Sequence, residues 1–131
     1  MEIDHIAIAV SDIEKGMSLY RKLGLKFLEK AEVREEGVII AFFSAGNVKI
    51  ELIQPTEDNG VRRFIENKGE GIHHISFRVK DAGKEMERLK ELKFTSPKPL
   101  RRHGRNVCFI HPSQANGVLI ELEETALYQG T

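Results

Sequence analysis

Large β-branched residues alternate with smaller or polar ones through Ile6–Val10, with Ile6, Ile8 and Val10 on one face of Ile3–Val10 and Ile3, His5, Ala7 and Ala9 on the other. That period of two is the mark of a strand. Past Asp12, which can N-cap a helix, the period lengthens. Ile13, Met17 and Tyr20 fall on one side of a helix over Asp12–Lys22, and Gly24 closes it as a C-cap glycine would. Three more strands follow, roughly Lys26–Val33, Val38–Ser44 and Val48–Ile53, with Gly37 and Gly46-Asn47 where turns are needed. A short helix is predicted over Gly60–Asn67. A second strand–helix–strand series follows: strand Ile72–Val79, a helix over Asp81–Leu92 with Met86 and Leu89 on one face, and strands Phe94–Leu100, Asn106–Ile110 and Gly117–Glu123. Thr125–Thr131 carries no strong pattern.

The second series repeats the first. HIAIAVSD at His5–Asp12 returns as HISFRVKD at His74–Asp81, and Lys15, Met17 and Leu23 correspond to Lys84, Met86 and Leu92. VKIELI at Val48–Ile53 reappears as VLIELE at Val118–Glu123. Two features at nearly the same offset and in the same order identify a duplicated βαβββ unit, and hence an α+β fold. The expected organisation is a single domain over 1–131, with module one at 1–54, a linker helix at 55–70, module two at 71–124 and a tail at 125–131.

The strand faces then assign chemistry. His5 and His74, equated by the repeat, stand on the less apolar faces of their strands beside small neighbours, which leave volume for a ligand. Glu51 and Glu121 occupy equivalent places in the strands that end each unit. Singly, a histidine near a strand end is usually packed or hydrogen-bonded, and a strand glutamate usually faces water. As a symmetric set, two imidazoles and two carboxylates suit a divalent cation such as Zn²⁺, Co²⁺, Ni²⁺, Mn²⁺ or Fe²⁺. His73 points to the helix-covered face and is expected to pack, His111 before Pro112 to shape a turn, and Cys108 to be buried.

Composition narrows the function classes. Of 131 residues, 40% are apolar and 31% charged, and 20 Lys+Arg balance 20 Asp+Glu. A net charge of zero gives no global field for nucleic acid or an anionic membrane. No apolar run approaches the roughly 18 residues of a membrane-spanning helix. MEIDHIAIAV lacks the basic start of a signal peptide, and one cysteine allows neither an intramolecular disulfide nor a cysteine zinc cluster. These absences lead to the expectation of a cytoplasmic protein.

DHIAIAV at Asp4–Val10, KIELIQP at Lys49–Pro55, GEGIHHISFRV at Gly69–Val79 and FIHPSQANGVLIELE at Phe109–Glu123 resemble the vicinal oxygen chelate superfamily of glyoxalases, bleomycin-resistance proteins and dioxygenases. Within it, the last two segments are most similar to the methylmalonyl-CoA epimerases. The resemblance implies two modules forming a partly open eight-stranded barrel around a metal, commonly as a homodimer. It implies metal ligands at His5, Glu51, His74 and Glu121, binding Co²⁺, Zn²⁺, Ni²⁺ or Mn²⁺. The implied reaction interconverts (R)- and (S)-methylmalonyl-CoA by removing the C2 proton through a metal-chelated enolate, with Glu121 as the base. Arg101, Arg102 and Arg105, the one local basic run together with His103, become a clamp for coenzyme A phosphates; a merely solvated loop is the other reading. One departure stands out. Ile40 occupies the place of a proposed catalytic glutamate in a bacterial relative, which leaves Glu35, Glu36 and His103 as loop candidates for a second acid, with surface charge as their ordinary role. A glyoxalase I-type lyase acting on a thiol adduct would use the same ligands, and a metal-free small-molecule binding module is the reading from another class.

Overall fold

The computed structural model describes residues 1–125, so all but the first residue of the expected tail lies outside the described residues. It divides into two compact units, one of residues 5–73 and one of residues 1–4 with His74 onward.

The first unit contains most of β1 (Ile3–Ala9), then α1 (Ile13–Lys22), β2 (Lys26–Val33), β3 (Val38–Ala45), β4 (Val48–Pro55) and α2 (Gly60–Lys68). β2 pairs antiparallel with β3, β3 antiparallel with β4, and β4 parallel with β1. The parallel pair follows from a crossover through α1, which a hairpin could not make. Asp12 caps α1 by accepting from the backbone N–H groups of Glu14 and Lys15. At its other end Gly24, at φ 91°, donates to Arg21, and Leu25 donates back to Tyr20. This paired closure requires a left-handed residue. Val10, Ile13, Met17, Ala41, Phe43 and Leu52 form the core beneath α1. On the opposite face Ala7, Val33, Val38, Ile40 and Ile53 form a second cluster, with Val61 of α2 packed against it.

The second unit carries β5 (Gly71–Val79) from His74 onward, then α3 (Ala82–Arg88), β6 (Leu100–Arg102), β7 (Arg105–Ile110) and β8 (Leu119–Glu124). β5 and β8 are parallel, and β8–β7 and β7–β6 antiparallel, the same plan as the first unit. Asp81 caps α3 as Asp12 caps α1. Val79, Ala82, Cys108, Ile110 and Leu122 make the core, joined by Met86, Leu89 and Leu92. Its other face differs in kind, because Asp4, Ser76, Glu121 and Glu123 are buried there.

Two elements depart from the sequence expectation. The helix expected to Leu92 ends at Arg88, and the strand expected over Phe94–Leu100 shrinks to Leu100–Arg102. The cause is a tether. Thr95 donates its N–H to Phe109 and His111 donates to Lys93, so the chain must leave the helix early to lie against β7. Phe94 then makes an isolated bridge with Ile110. Pro97 and Pro99 lack the N–H a ladder needs, and Ser96 Oγ–H turns back onto the Lys98 carbonyl. Pairing resumes at the β6–β7 hairpin, where His103 and Gly104 both take positive φ. No helix among the described residues is long and apolar enough to cross a membrane.

Candidate metal centre

Each unit builds one buried histidine–glutamate pair, and strand register explains why. In the first unit the parallel β1–β4 ladder sets Ala7 opposite Glu51, and the β3–β4 ladder sets Phe42 against Glu51 from the other side. His5, two residues before Ala7, projects to the same face, and its Nε2 lies 3.3 Å from Glu51 Oε1. The imidazole meets the Phe42 ring edge-on, at a centroid distance of 6.0 Å and 86°. In the second unit Ser76 lies opposite Glu121 in the β5–β8 ladder, with Phe109 opposite it from β7. His74 Nε2 lies 3.5 Å from Glu121 Oε1, and its ring meets Phe109 edge-on at 5.9 Å and 87°. The two half-sites agree to within 0.2 Å and a degree. All four polar side chains are at least nine-tenths buried.

Burial on this scale selects against a merely decorative role, since isolated polar groups in an apolar setting are costly. The spacing also suits metal coordination. Two donor atoms each about 2.1 Å from a common cation are roughly 3.0–3.4 Å apart for octahedral to tetrahedral angles, near both Nε2–Oε1 separations. Imidazole and carboxylate together match a borderline divalent ion. Within each half, the residues fit such a cation.

Other sequence candidates are placed elsewhere. Ile40 is buried in the apolar cluster under α2. Glu35 is exposed and Glu36 half-buried in the single 3-10 turn before β3. Arg101, Arg102 and Arg105 lie on the β6–β7 hairpin: Arg101 Nη1 donates to Asn106 Oδ1, Arg102 Nη1 to the Arg101 carbonyl, and Arg105 Nη1 reaches Glu123 Oε1 at 3.5 Å. His73 packs against Phe64 of α2. His111 Nδ1 accepts from the Ser113 N–H and anchors the turn after β7. Desolvation pushes the buried Cys108 thiol up to about 12, so it is no nucleophile.

Three features escaped the sequence reading. Phe42 and Phe109 wall the half-sites, a role that strand register alone discloses. Arg78 Nε pairs with buried Asp4 at 3.0 Å and Nη1 with Glu2 at 3.3 Å, and the Asp4 hydrogen bond raises the already high pKa of the guanidinium. Ser76 is fully buried, and its hydroxyl meets no hydrogen-bond partner among the described residues. Such an orphan costs about 1–3 kcal/mol.

The family model for the Glyoxalase/Bleomycin resistance protein/Dioxygenase superfamily matches residues 4–109, and the chain belongs to this superfamily. Among its relatives, an uncharacterized Bacillus subtilis protein is 42% identical over 93% of this chain and 91% of its own. The ethylmalonyl-CoA/methylmalonyl-CoA epimerase of Cereibacter sphaeroides is 38% identical over 93% of this chain and 96% of its own. A structure of a Streptomyces coelicolor methylmalonyl-CoA epimerase variant in complex with 2-nitronate-propionyl-CoA superimposes with a TM-score of 0.89 at 30% identity, covering 100% of this chain and 99% of that one. The chain is an isomerase of the racemase and epimerase kind, as the epimerases among these relatives are.

Proposed function

We propose that the protein epimerises methylmalonyl-CoA, or a near homologue of it, at C2, and that His5, Glu51, His74 and Glu121 together hold one divalent cation for that purpose. The observation that carries the reading is the duplicated, buried histidine–glutamate pair at 3.3 and 3.5 Å. The names of the relatives supply the substrate class: a carboxyacyl-CoA whose C2 lies between a thioester carbonyl and a carboxylate. A cation bound by these four residues would supply Lewis-acid stabilisation of the negative charge that grows on the substrate oxygens.

The chain's own groups do the rest. Glu121, buried beside His74, takes the C2 proton on a carboxylate oxygen. Phe42 and Phe109 limit water at the two pairs, which strengthens every charge interaction there. Ile40 offers no exchangeable proton, so the acid that returns the proton on the opposite face lies elsewhere. The exposed Arg101 and Arg105, with half-buried Arg102, form a basic hairpin suited to the phosphates of coenzyme A.

Proton NMR of methylmalonyl-CoA in D₂O tests the reaction. Metal-reconstituted protein should remove the C2 proton signal quickly. Metal-stripped protein and a His74→Ala variant should be slower by roughly 10²-fold or more, since Lewis-acid stabilisation by a bound cation is worth several kcal/mol. No exchange above background in protein that carries metal would overturn the proposal, and hemithioacetals of methylglyoxal would be the next substrates.

A further inference from the structure

The two half-sites match at histidine, glutamate and phenylalanine, yet differ at the residue paired with the glutamate: Ala7 faces Glu51, whereas Ser76 faces Glu121. Both are fully buried, so the difference places a methyl group beside one carboxylate and a hydroxyl beside the other. The Ser76 hydroxyl has no hydrogen-bond partner among the described residues, although it lies on the strand next to β8 and on the same face as Glu121. A buried hydroxyl without a partner invites an explanation, and a catalytic role is one of the few available. Here the nearby acceptor that shares its face is a carboxylate.

We propose that Ser76 is the positioning residue for Glu121. Its O–H donates to the carboxylate once Glu121 turns onto the bound cation, and this contact divides the labour between two otherwise equivalent glutamates. Glu51, beside Ala7, has no such donor from the equivalent position and stays a plain ligand. The inference deepens the metal-dependent reading above and rests on it. It involves no new bond: one hydrogen bond forms, and no proton leaves the serine.

Ser76→Ala and Ser76→Cys separate this role from simple packing, since alanine is smaller and cysteine slightly larger than serine, while neither donates as a hydroxyl does. Circular dichroism and thermal melting of the metal-free proteins report folding, and calorimetric titration with Co²⁺ alone reports affinity. Both variants should fold, with melting temperatures at or above that of the wild type because the orphan hydroxyl is gone. Both should bind Co²⁺ roughly tenfold more weakly, the lower end of the range for losing a residue that orients a ligand. Methylmalonyl-CoA exchange should then fall through kcat, with KM nearly unchanged. Wild-type Co²⁺ affinity and kcat in folded variants would overturn the proposal, as would wild-type protein that takes up no Co²⁺. Wild-type protein that binds Co²⁺ but exchanges no methylmalonyl-CoA would refute the substrate reading alone, and the Co²⁺ affinities would still decide the role of Ser76.

Discussion

Cys108 and Arg78 are buried to different degrees, and water treats them differently. The Cys108 thiol, pushed up to about 12 chiefly by desolvation, would be ionised in roughly one molecule in ten thousand at pH 8. Thiol reagents should therefore label it at a negligible rate in native protein and at once in urea; prompt native labelling would contradict the burial. Arg78 cannot be silenced in that way, because a guanidinium stays charged and the hydrogen bond with Asp4 raises its pKa further. Asp4 in turn relies on it. The pair joins the first residues of β1 to β5, reinforced by the Arg78 N–H donating to the Glu2 carbonyl. Arg78→Met should leave the Asp4 carboxylate buried without its guanidinium and cost about 3 kcal/mol, measurable as a lower urea midpoint. A loss below about 1 kcal/mol would place the pair with ordinary surface ion pairs instead.

Caps and turns at the ends of elements were legible in the sequence for a simple physical reason: they depend on one or two residues and their immediate neighbours. Asp12, Asp81 and Gly24 each do what their chemistry allows, and β2 spans the expected Lys26–Val33. Gly24→Ala would force a side chain into φ 91° and should cost roughly 1 kcal/mol in thermal or urea unfolding. A neutral effect would mean the turn relaxes. The misread elements depend on distant partners. The end of α3 and the short β6 are set by the tether of residues 93–95 to β7, and no local period announces that bond. The same limit applied at the candidate centre. The repeat located His5, Glu51, His74 and Glu121, but that Phe42, Phe109, Ala7 and Ser76 lie opposite the glutamates became visible only through strand register.

Across the whole chain, duplication explains both what is shared and what has diverged. Each unit keeps the crossover topology, the capped helix and the buried histidine–glutamate pair, because those follow from residues the repeat retains. The faces around the pairs have separated. The first unit surrounds its pair with an apolar cluster that includes Ile40 and Ile53, whereas the second places Ser76, Arg78 and Glu123 there. An epimerase needs groups on both faces of C2, since a proton leaves one face and returns to the other, and unlike faces can supply unlike groups. In the proposed function the two pairs act as one metal site serving that proton transfer. Its most direct test is a titration of metal-free protein with Co²⁺ while the C2 proton of methylmalonyl-CoA is followed in D₂O. Exchange should rise with each addition and level off at one equivalent per chain. Full exchange without metal, or none at one bound equivalent, would contradict it.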